Sequence, residues 1–309
     1  MVDLSVIIVS WNVVDLLLAC LKSLEGSAGS YTLEIIVVDS ASSDTTVVQV
    51  QQEYPQVKLL PQAENLGFVR CNNIGLAAAQ GRYMLLLNPD TEVIGDALAT
   101  MVAYLDANPT VGIVGPHTLN TDGSTQSSRR RFPDVKLAFF ESTWLQGYAP
   151  QKWLDDYYLT APADDAILDA DWVQGSALMA RREVYEQIGG LDPLYIMFYE
   201  ELDWCKRAKD AGWRVVYVGT AQITHHGGKS TDQVTANKHI YFNESKLRYF
   251  HKYYGVGVTI PLRIFLIVSY GFQLLQESIK SLLGSQRPMR QERIRTYWQV
   301  LRSGLRVRN

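Results

Sequence analysis

Apolar and polar positions alternate along the first 115 residues in blocks that switch between two periods. Leu4–Val9 is a short β-branched run that predicts a strand buried on both faces. Val14, Leu17, Leu18, Leu21 and Leu24 then recur at helical spacing. Ile35–Val38 predicts the next strand, ending at Asp39, and Ser43 or Asp44 can cap a helix running to Tyr54. A strand at Val57–Leu60, a helix around Asn72–Ala79 and a strand at Tyr83–Leu87 follow, the last running into Asn88-Pro89-Asp90. A helix over Ala97–Ala107 and a strand at Val111–Val114 complete the series. Such alternation predicts an α/β fold, a mostly parallel sheet with helices on both faces. Ligands on these sheets bind beyond the carboxyl ends of the strands, where Asp39 and Asp90 fall.

The middle of the chain is less regular. Tyr148–Asp171 reads as a long excursion, Trp172–Ala180 as one strand, and Arg182–Ile188 as a short helix stopped by Gly189-Gly190. Glu200–Ala211 reads as a helix, and Arg214–Val218 and Ile223–His226 as two extended segments. Towards the end, Ile264, Val268, Phe272, Leu275, Ile279 and Leu282 share one helical stripe opposite Gln273, Glu277 and Lys280. The expected division is a body over 1–245, with a nucleotide-binding half (1–115) and an acceptor-side half (116–245), and a helical extension over 246–309.

Composition adds two constraints. Apolar residues at 47% and charged residues at 20% exclude a disordered chain, a collagen and a coiled coil. The three cysteines are widely spaced without a C-x-x-C, against a disulfide framework or zinc ribbon and in keeping with a reducing compartment. The net charge of −3 hides an asymmetry: residues 246–309 carry twelve Lys/Arg against Glu277 and Glu292 alone. Val256–Leu275 is nearly long enough to span a bilayer, but Arg263, Gln273 and Pro261 argue instead for a helix lying in the interface, followed by the Arg-rich 287–308. A peripheral membrane surface is therefore the expected partner of the basic end. With only Tyr297 and Trp298 as stacking aromatics there, nucleic acid is not expected. The N-terminus has no basic n-region or signal-like apolar run, so a cytoplasmic location at the inner face of a plasma membrane is expected.

Four constellations could carry chemistry. Asp39 could accept hydrogen bonds from a nucleobase or ribose, or cap the next helix. Asn88-Pro89-Asp90 could hold a hard cation that also grips a diphosphate, or simply form a turn. In Glu200-Glu201-Leu202-Asp203 the acids suit a helix's first turn, yet one of them facing a pocket could act as a general base. His225 and His226 are adjacent on an extended segment, so at most one points at any site, and Gly227-Gly228 would let backbone approach a ligand. There is no G-x-G-x-x-G after the first strand, no Walker A sequence and no Ser nucleophile elbow.

The order of motifs resembles the inverting family-two glycosyltransferases of GT-A fold, in particular the rhamnosyltransferase-type enzymes of bacterial polysaccharide assembly. The matching stretches are SVIIVSWN (5–12), VVDSASSDTT (37–46), NLGFVRCNNIG (65–75), GRYMLLLNPDTEV (81–93), DGSTQSSRRRFP (122–133), DWVQGSALMARREVYEQIGGLD (171–192), FYEELDWCKRAKDAGW (198–213) and ITHHGGKST (223–231). The resemblance implies a nucleotide-diphosphate sugar donor, a glycan or polyprenyl-diphosphate-linked acceptor and a divalent metal, Mg2+ or Mn2+. It also implies roles. Val9 and Trp11 would flank the base and Asp39 would hydrogen-bond it. Asp90 would match the last acid of the D-x-D motif, with Asn88 in place of its first Asp. Glu201 would match the catalytic base, with Glu200 beside it. His225 would join Asp90 at the metal, with His226 as the alternative, and Trp172 and Gly175 would line the acceptor side. Two other readings are a sugar-nucleotide nucleotidyltransferase, whose Gly-rich first loop is missing, and an inactive nucleotide-sugar-binding module.

Overall fold

In a computed structural model of the chain, residues 2–27, 31–227, 235–284 and 286–307 are described. The chain forms two compact units, one of residues 1–132, 154–193 and 200–230, the other of residues 133–153, 194–199 and 231–309.

The first unit is built on one mixed sheet. Its strands are β1 (Leu4–Ser10), β2 (Leu33–Asp39), β3 (Lys58–Pro61), β4 (Tyr83–Leu87), β5 (Thr91–Val93) and β6 (Val111–Leu119), then β7 (Thr125–Gln126), β9 (Ile167–Ala170), β11 (Ala177–Arg181) and β12 (Arg214–His225). β8 (Arg129–Arg130) and β10 (Trp172–Val173) pair separately. The sheet order is β3-β2-β1-β4-β11-β6-β12-β5. β3, β2, β1 and β4 run parallel, β11 enters antiparallel between β4 and β6, and β12 runs parallel to β6. This is the α/β sheet the alternation predicts, parallel through β3, β2, β1 and β4 and mixed beyond β4. β1 is wholly buried, and Val6 and Ile8 pack with Leu17, Leu21 and Leu24 of helix α1 (Val14–Glu25). Helices α2 (Thr46–Glu53), α3 (Phe68–Ala78) and α4 (Ala97–Ala107) join successive strands. α3 starts four residues earlier than its spacing suggests because Gly67, at φ +78°, turns the chain directly into it.

Three expectations change. The segment 172–180 is not one strand: β10 pairs with β8 outside the main sheet, and Gln174–Ser176 form a turn before β11 enters it. Arg214–His225 is one strand rather than two, with an irregularity between Val218 and Gln222. There Gly219, which resembles a turn signal, faces backbone: a Cβ on it would meet Asp164 O at 2.4 Å and Ala166 O at 2.5 Å. The excursion at 148–171 therefore contains a helix, α6 (Gln151–Tyr158), and the strand β9 paired to β12. Helices α5 (Val135–Phe140), α7 (Arg182–Ile188) and α8 (Glu200–Asp210) complete residues up to 210.

In the second unit, α9 (Thr235–Tyr254), α10 (Val256–Leu282) and α11 (Arg287–Ser303) pack together. Buried polar groups hold them in register: Arg290 Nη1 lies 2.7 Å from Glu277 Oε2, and Asn243 Nδ2 donates to Tyr270 OH at 3.0 Å. α10 continues through Pro261, and the stripe Ile264, Val268, Phe272, Leu275, Ile279 and Leu282 is exposed along it.

Candidate active site at the carboxyl edge of the sheet

Parallel strands present their carboxyl ends together, and the first unit gathers its polar side chains there. Asp39 ends β2 beside Ser10 of β1 and is 1% exposed. Its Oδ2 accepts the Ser42 N–H at 2.9 Å, while Oδ1 is buried without a partner, as is Ser10 Oγ. Asp44, one residue before the N-cap Thr45 of α2, accepts the Thr46 N–H on Oδ1 at 3.0 Å, so Asp39 is not needed at that helix start. Val9 is buried and Trp11 half-buried just beyond β1, where Asn12 in the left-handed region (φ 52°) accepts the Ser43 N–H at 2.7 Å.

β4 ends in the Asn88–Thr91 turn, closed by Thr91 Oγ1 donating to Asn88 O at 2.7 Å. The turn brings Asp90, 4% exposed, against His225 at the end of β12: Nε2 lies 3.3 Å from Asp90 Oδ1 and 3.4 Å from Asn88 Nδ2. On its other side His225 Nδ1 is 2.7 Å from Gln126 Oε1. That amide oxygen only accepts, so Nδ1 donates to it and the ring is held with Nε2 turned toward Asp90 and Asn88. A histidine fixed by an outer hydrogen bond beside a carboxylate suits a divalent cation that takes the rest of its ligands from phosphate and water. No cluster of three or more His, Cys, Asp or Glu able to hold a metal occurs among the described residues. His226 turns the other way, its Nε2 2.6 Å from Glu92 Oε1. Gly228 lies outside the described residues, as does the Lys229–Thr231 end of that motif.

The acids of α8 separate by environment. Asp203 is fully buried and held by Arg207 Nε at 2.8 Å, a structural pair. Glu200 is buried, whereas Glu201 is half-buried, and each has an Oε2 without a partner. Burial raises the Glu200 carboxyl well above the ordinary glutamate range, and the charge of Glu201 adds to this. Burial also raises Glu201; its own N–H, the Arg130 guanidinium and the N–H groups of Gly175 and Leu202 pull against that rise. Two residues ahead of this pair, Phe198 and Tyr199, hold left-handed backbone at φ 69° and 66°, a conformation rare for bulky side chains and frequent near functional sites.

The turn Gln174–Ser176 links the two halves. Ser176 O accepts the Asn88 N–H at 2.9 Å, and Gly175 lies flat on Glu201, since a Cβ there would sit 3.4 Å from three of its side-chain carbons. Trp172 is 5% exposed, its indole N–H bonds Arg131 O at 2.8 Å, and the Arg130 guanidinium lies over its ring. Sequence reasoning gave no role to Gln126, Arg130, Gln174 or Ser176. Their signal was the polar run from Gln126 to Arg131 and the Gln-Gly-Ser break in an otherwise apolar strand.

Comparison with known proteins bears on the family and the fold. The N-acetylglucosaminyl-diphospho-decaprenol L-rhamnosyltransferase of Mycobacterium tuberculosis (strain CDC 1551 / Oshkosh) is 28% identical over 216 residues, covering 66% of this chain and 70% of that protein. Rhamnosyltransferase WbbL of Escherichia coli (strain K12) is 27% identical over 241 residues, covering 72% and 82%. Among solved structures, the mannosyltransferase PcManGT of Pyrobaculum calidifontis, in complex with GDP-Man and Mn2+, shares the fold at a TM-score of 0.57 and 18% identity, over 98% of this chain and 84% of that one. GalNAc-T7 with UDP, GalNAc and Mn2+ does so at 0.58 and 18%, over 81% of this chain, which spans half of that chain's length. The family described as glycosyl transferase family 2 matches residues 5–188, more than half of the sequence. The chain belongs to glycosyl transferase family 2 and is built on a GT-A type α/β sheet.

Proposed function

We propose that this chain moves a sugar, with inversion, from a nucleotide-diphosphate sugar to a hydroxyl of a glycan or polyprenyl-diphosphate-linked acceptor. One observation carries the reading: within one compact unit the turn Gln174–Ser176 packs Gly175 on Glu201 and accepts the Asn88 N–H at Ser176 O, and Asn88 Nδ2 lies 3.4 Å from His225 of the Asp90–His225 pair. Glu201 is the general base. Its partial exposure and raised affinity for protons suit it to take a hydroxyl proton near neutral pH, and buried Glu200 supports it. Asp39, with Val9 and Trp11 alongside, takes the nucleobase or ribose, and its unpartnered Oδ1 supports that role. Asp90 and His225 hold Mg2+ or Mn2+ with Asn88 beside them. When bound, the ion neutralises charge developing on the departing diphosphate. Gly175 lets Glu201 approach the acceptor side, where Trp172 underlies the surface.

Rhamnose, and N-acetylglucosamine on a lipid diphosphate, enter as first candidates from the name of the mycobacterial relative. The test is a panel of sugar nucleotides read by released nucleoside diphosphate, with and without Mg2+ or Mn2+ and with and without acceptor. Acceptor-dependent release that needs the ion supports the reading. Release of pyrophosphate from a sugar phosphate and a nucleoside triphosphate would make the chain a nucleotidyltransferase, and donor binding without release an inactive module.

The extension at 246–309 serves the 1–245 body by docking on the cytoplasmic face of a membrane. α10 is long and apolar enough to cross a bilayer by length and composition. Its back face, though, carries Glu277 paired to Arg290, and Arg263 donates to Gly304 O at 3.0 and 2.7 Å, which suits a helix lying in the interface. Val268, 63% exposed, and Leu282, 82% exposed, lie on its outward stripe. Sedimentation with anionic and neutral vesicles tests this: Val268→Asp should release the chain from anionic vesicles.

A further inference from the structure

Beside Glu201 stands a group of side chains that the reading above leaves without a task. Arg130 of β8 lies with its guanidinium 4.8 Å from the ring centre of Trp172 and 5.3 Å from that of Tyr158. With aromatic rings on it, the planar group is pinned and offers its edge. Along that edge Nε is buried with no partner, and Nη2 makes one long bond, 3.3 Å, to Ser127 O. Gln174 Oε1 and Ser176 Oγ, in the turn that touches Glu201, are likewise buried and unpartnered. Backbone bonds hold the two segments together: Gln174 N–H to Ser128 O at 2.9 Å and Asp171 N–H to Arg130 O at 2.9 Å. Buried polar atoms in native proteins are almost always satisfied, so several orphans around one carboxylate mark a place where a ligand's polar atoms belong.

We propose that Arg130, with Gln174 and Ser176, forms a hydrogen-bonding subsite for the sugar ring of the acceptor, and that Trp172 and Tyr158 are positioning residues that hold Arg130 edge-on. The inference rests on Glu201 being the base. A sugar ring carries hydroxyls that donate and accept at once, matching a fixed donor edge, an amide oxygen and a hydroxyl. An anionic group fits less well. The Arg130 charge is already offset by Glu201, and Glu200 adds a second carboxyl to the same neighbourhood. Trp172, 5% exposed, thus serves the acceptor side by orienting the residue that binds it.

The test is steady-state kinetics of the full chain with two probe acceptors: octyl N-acetylglucosaminide and a short-chain prenyl-diphospho-N-acetylglucosamine. Arg130→Gln should raise the KM of both acceptors by at least about tenfold, the low end for a lost hydrogen bond to a charged group. The donor KM should stay within about twofold. Arg130→Lys, a point charge without the planar fork, should fail to restore the acceptor KM. Tyr158→Leu should raise it in the same direction by a smaller factor, and covers the case in which the Arg130 variants do not fold. An unchanged acceptor KM, full rescue by lysine, or a penalty confined to the diphosphate-bearing probe would overturn the proposal. If Glu201→Gln keeps full turnover, the underlying reading has failed. If it is inactive while the Arg130 and Tyr158 variants keep their acceptor KM, only the present inference has.

Discussion

The carboxyl edge of the sheet and the helices of the second unit both bury polar side chains, but with opposite outcomes. Among the helices several of those side chains find one another. Lys246, 1% exposed, donates to Glu141 O at 2.6 Å and lies 3.4 Å from its carboxylate, Glu277 meets Arg290, and His239 and Asn243 converge on the Tyr270 hydroxyl. At the sheet edge Ser10, Asp39, Asn88, Gln174, Ser176, Glu200 and Glu201 each keep a buried atom without a partner. Satisfied burial specifies a fold, and unsatisfied burial costs stability that a substrate can return. Outside, the contrast reverses: the second unit leaves its apolar stripe on α10 exposed.

Substitutions that break this contrast should act on stability in one region and on turnover in the other. The largest effect should come from Lys246→Met. It strands the Glu141 carboxyl in the interior and should cost about 3–5 kcal/mol, read as a fall in denaturant midpoint. Turnover per folded molecule should hold. Next, Asp90→Asn should lower kcat by about 10²–10³, the range for losing one preorganised electrostatic partner of the leaving group, with little change in midpoint. Chelation should mimic it, with recovery on adding Mg2+ or Mn2+. The smallest effect should be a gain: Glu200→Gln should raise Tm at neutral pH by about 1–2 °C, what ~1 kcal/mol is worth in a chain of this size. The sign follows from the raised proton affinity of Glu200. The folded chain holds a proton where the unfolded chain has lost it, so wild-type stability falls as pH rises from the ordinary glutamate range through the raised folded value. The advantage of the Gln variant should open across that window and be absent below it.

The sheet was legible because β-branched runs such as Leu4–Val9 have no other stable place, and because helices must cross between parallel strands. The site was legible where a strand end coincides with an acid, as at Asp39 and Asp90. It was less legible between Trp172 and Ala180, where the Gln174-Gly175-Ser176 break marks an interruption but not that the residues before it pair outside the main sheet. Arg130 carries no signal of its own because its neighbours Arg129 and Arg131 share its type; in the fold Arg129 bonds Ala163 O and Pro162 O while the Arg130 guanidinium lies over Trp172. The left-handed backbone at Phe198 and Tyr199 is equally silent, since neither is a residue type that favours it.

The central claim is that Glu201 takes the acceptor's proton in the site that Asp90 and His225 help form for the donor. Transfer and donor binding measured side by side on Glu201→Gln test it most directly. The account predicts that kcat falls by about 10²–10⁴, the usual worth of a positioned base, while calorimetric donor affinity in the presence of Mg2+ or Mn2+ stays unchanged. Turnover near the wild-type level, or a loss of donor affinity that accounts for the lost rate, would contradict it.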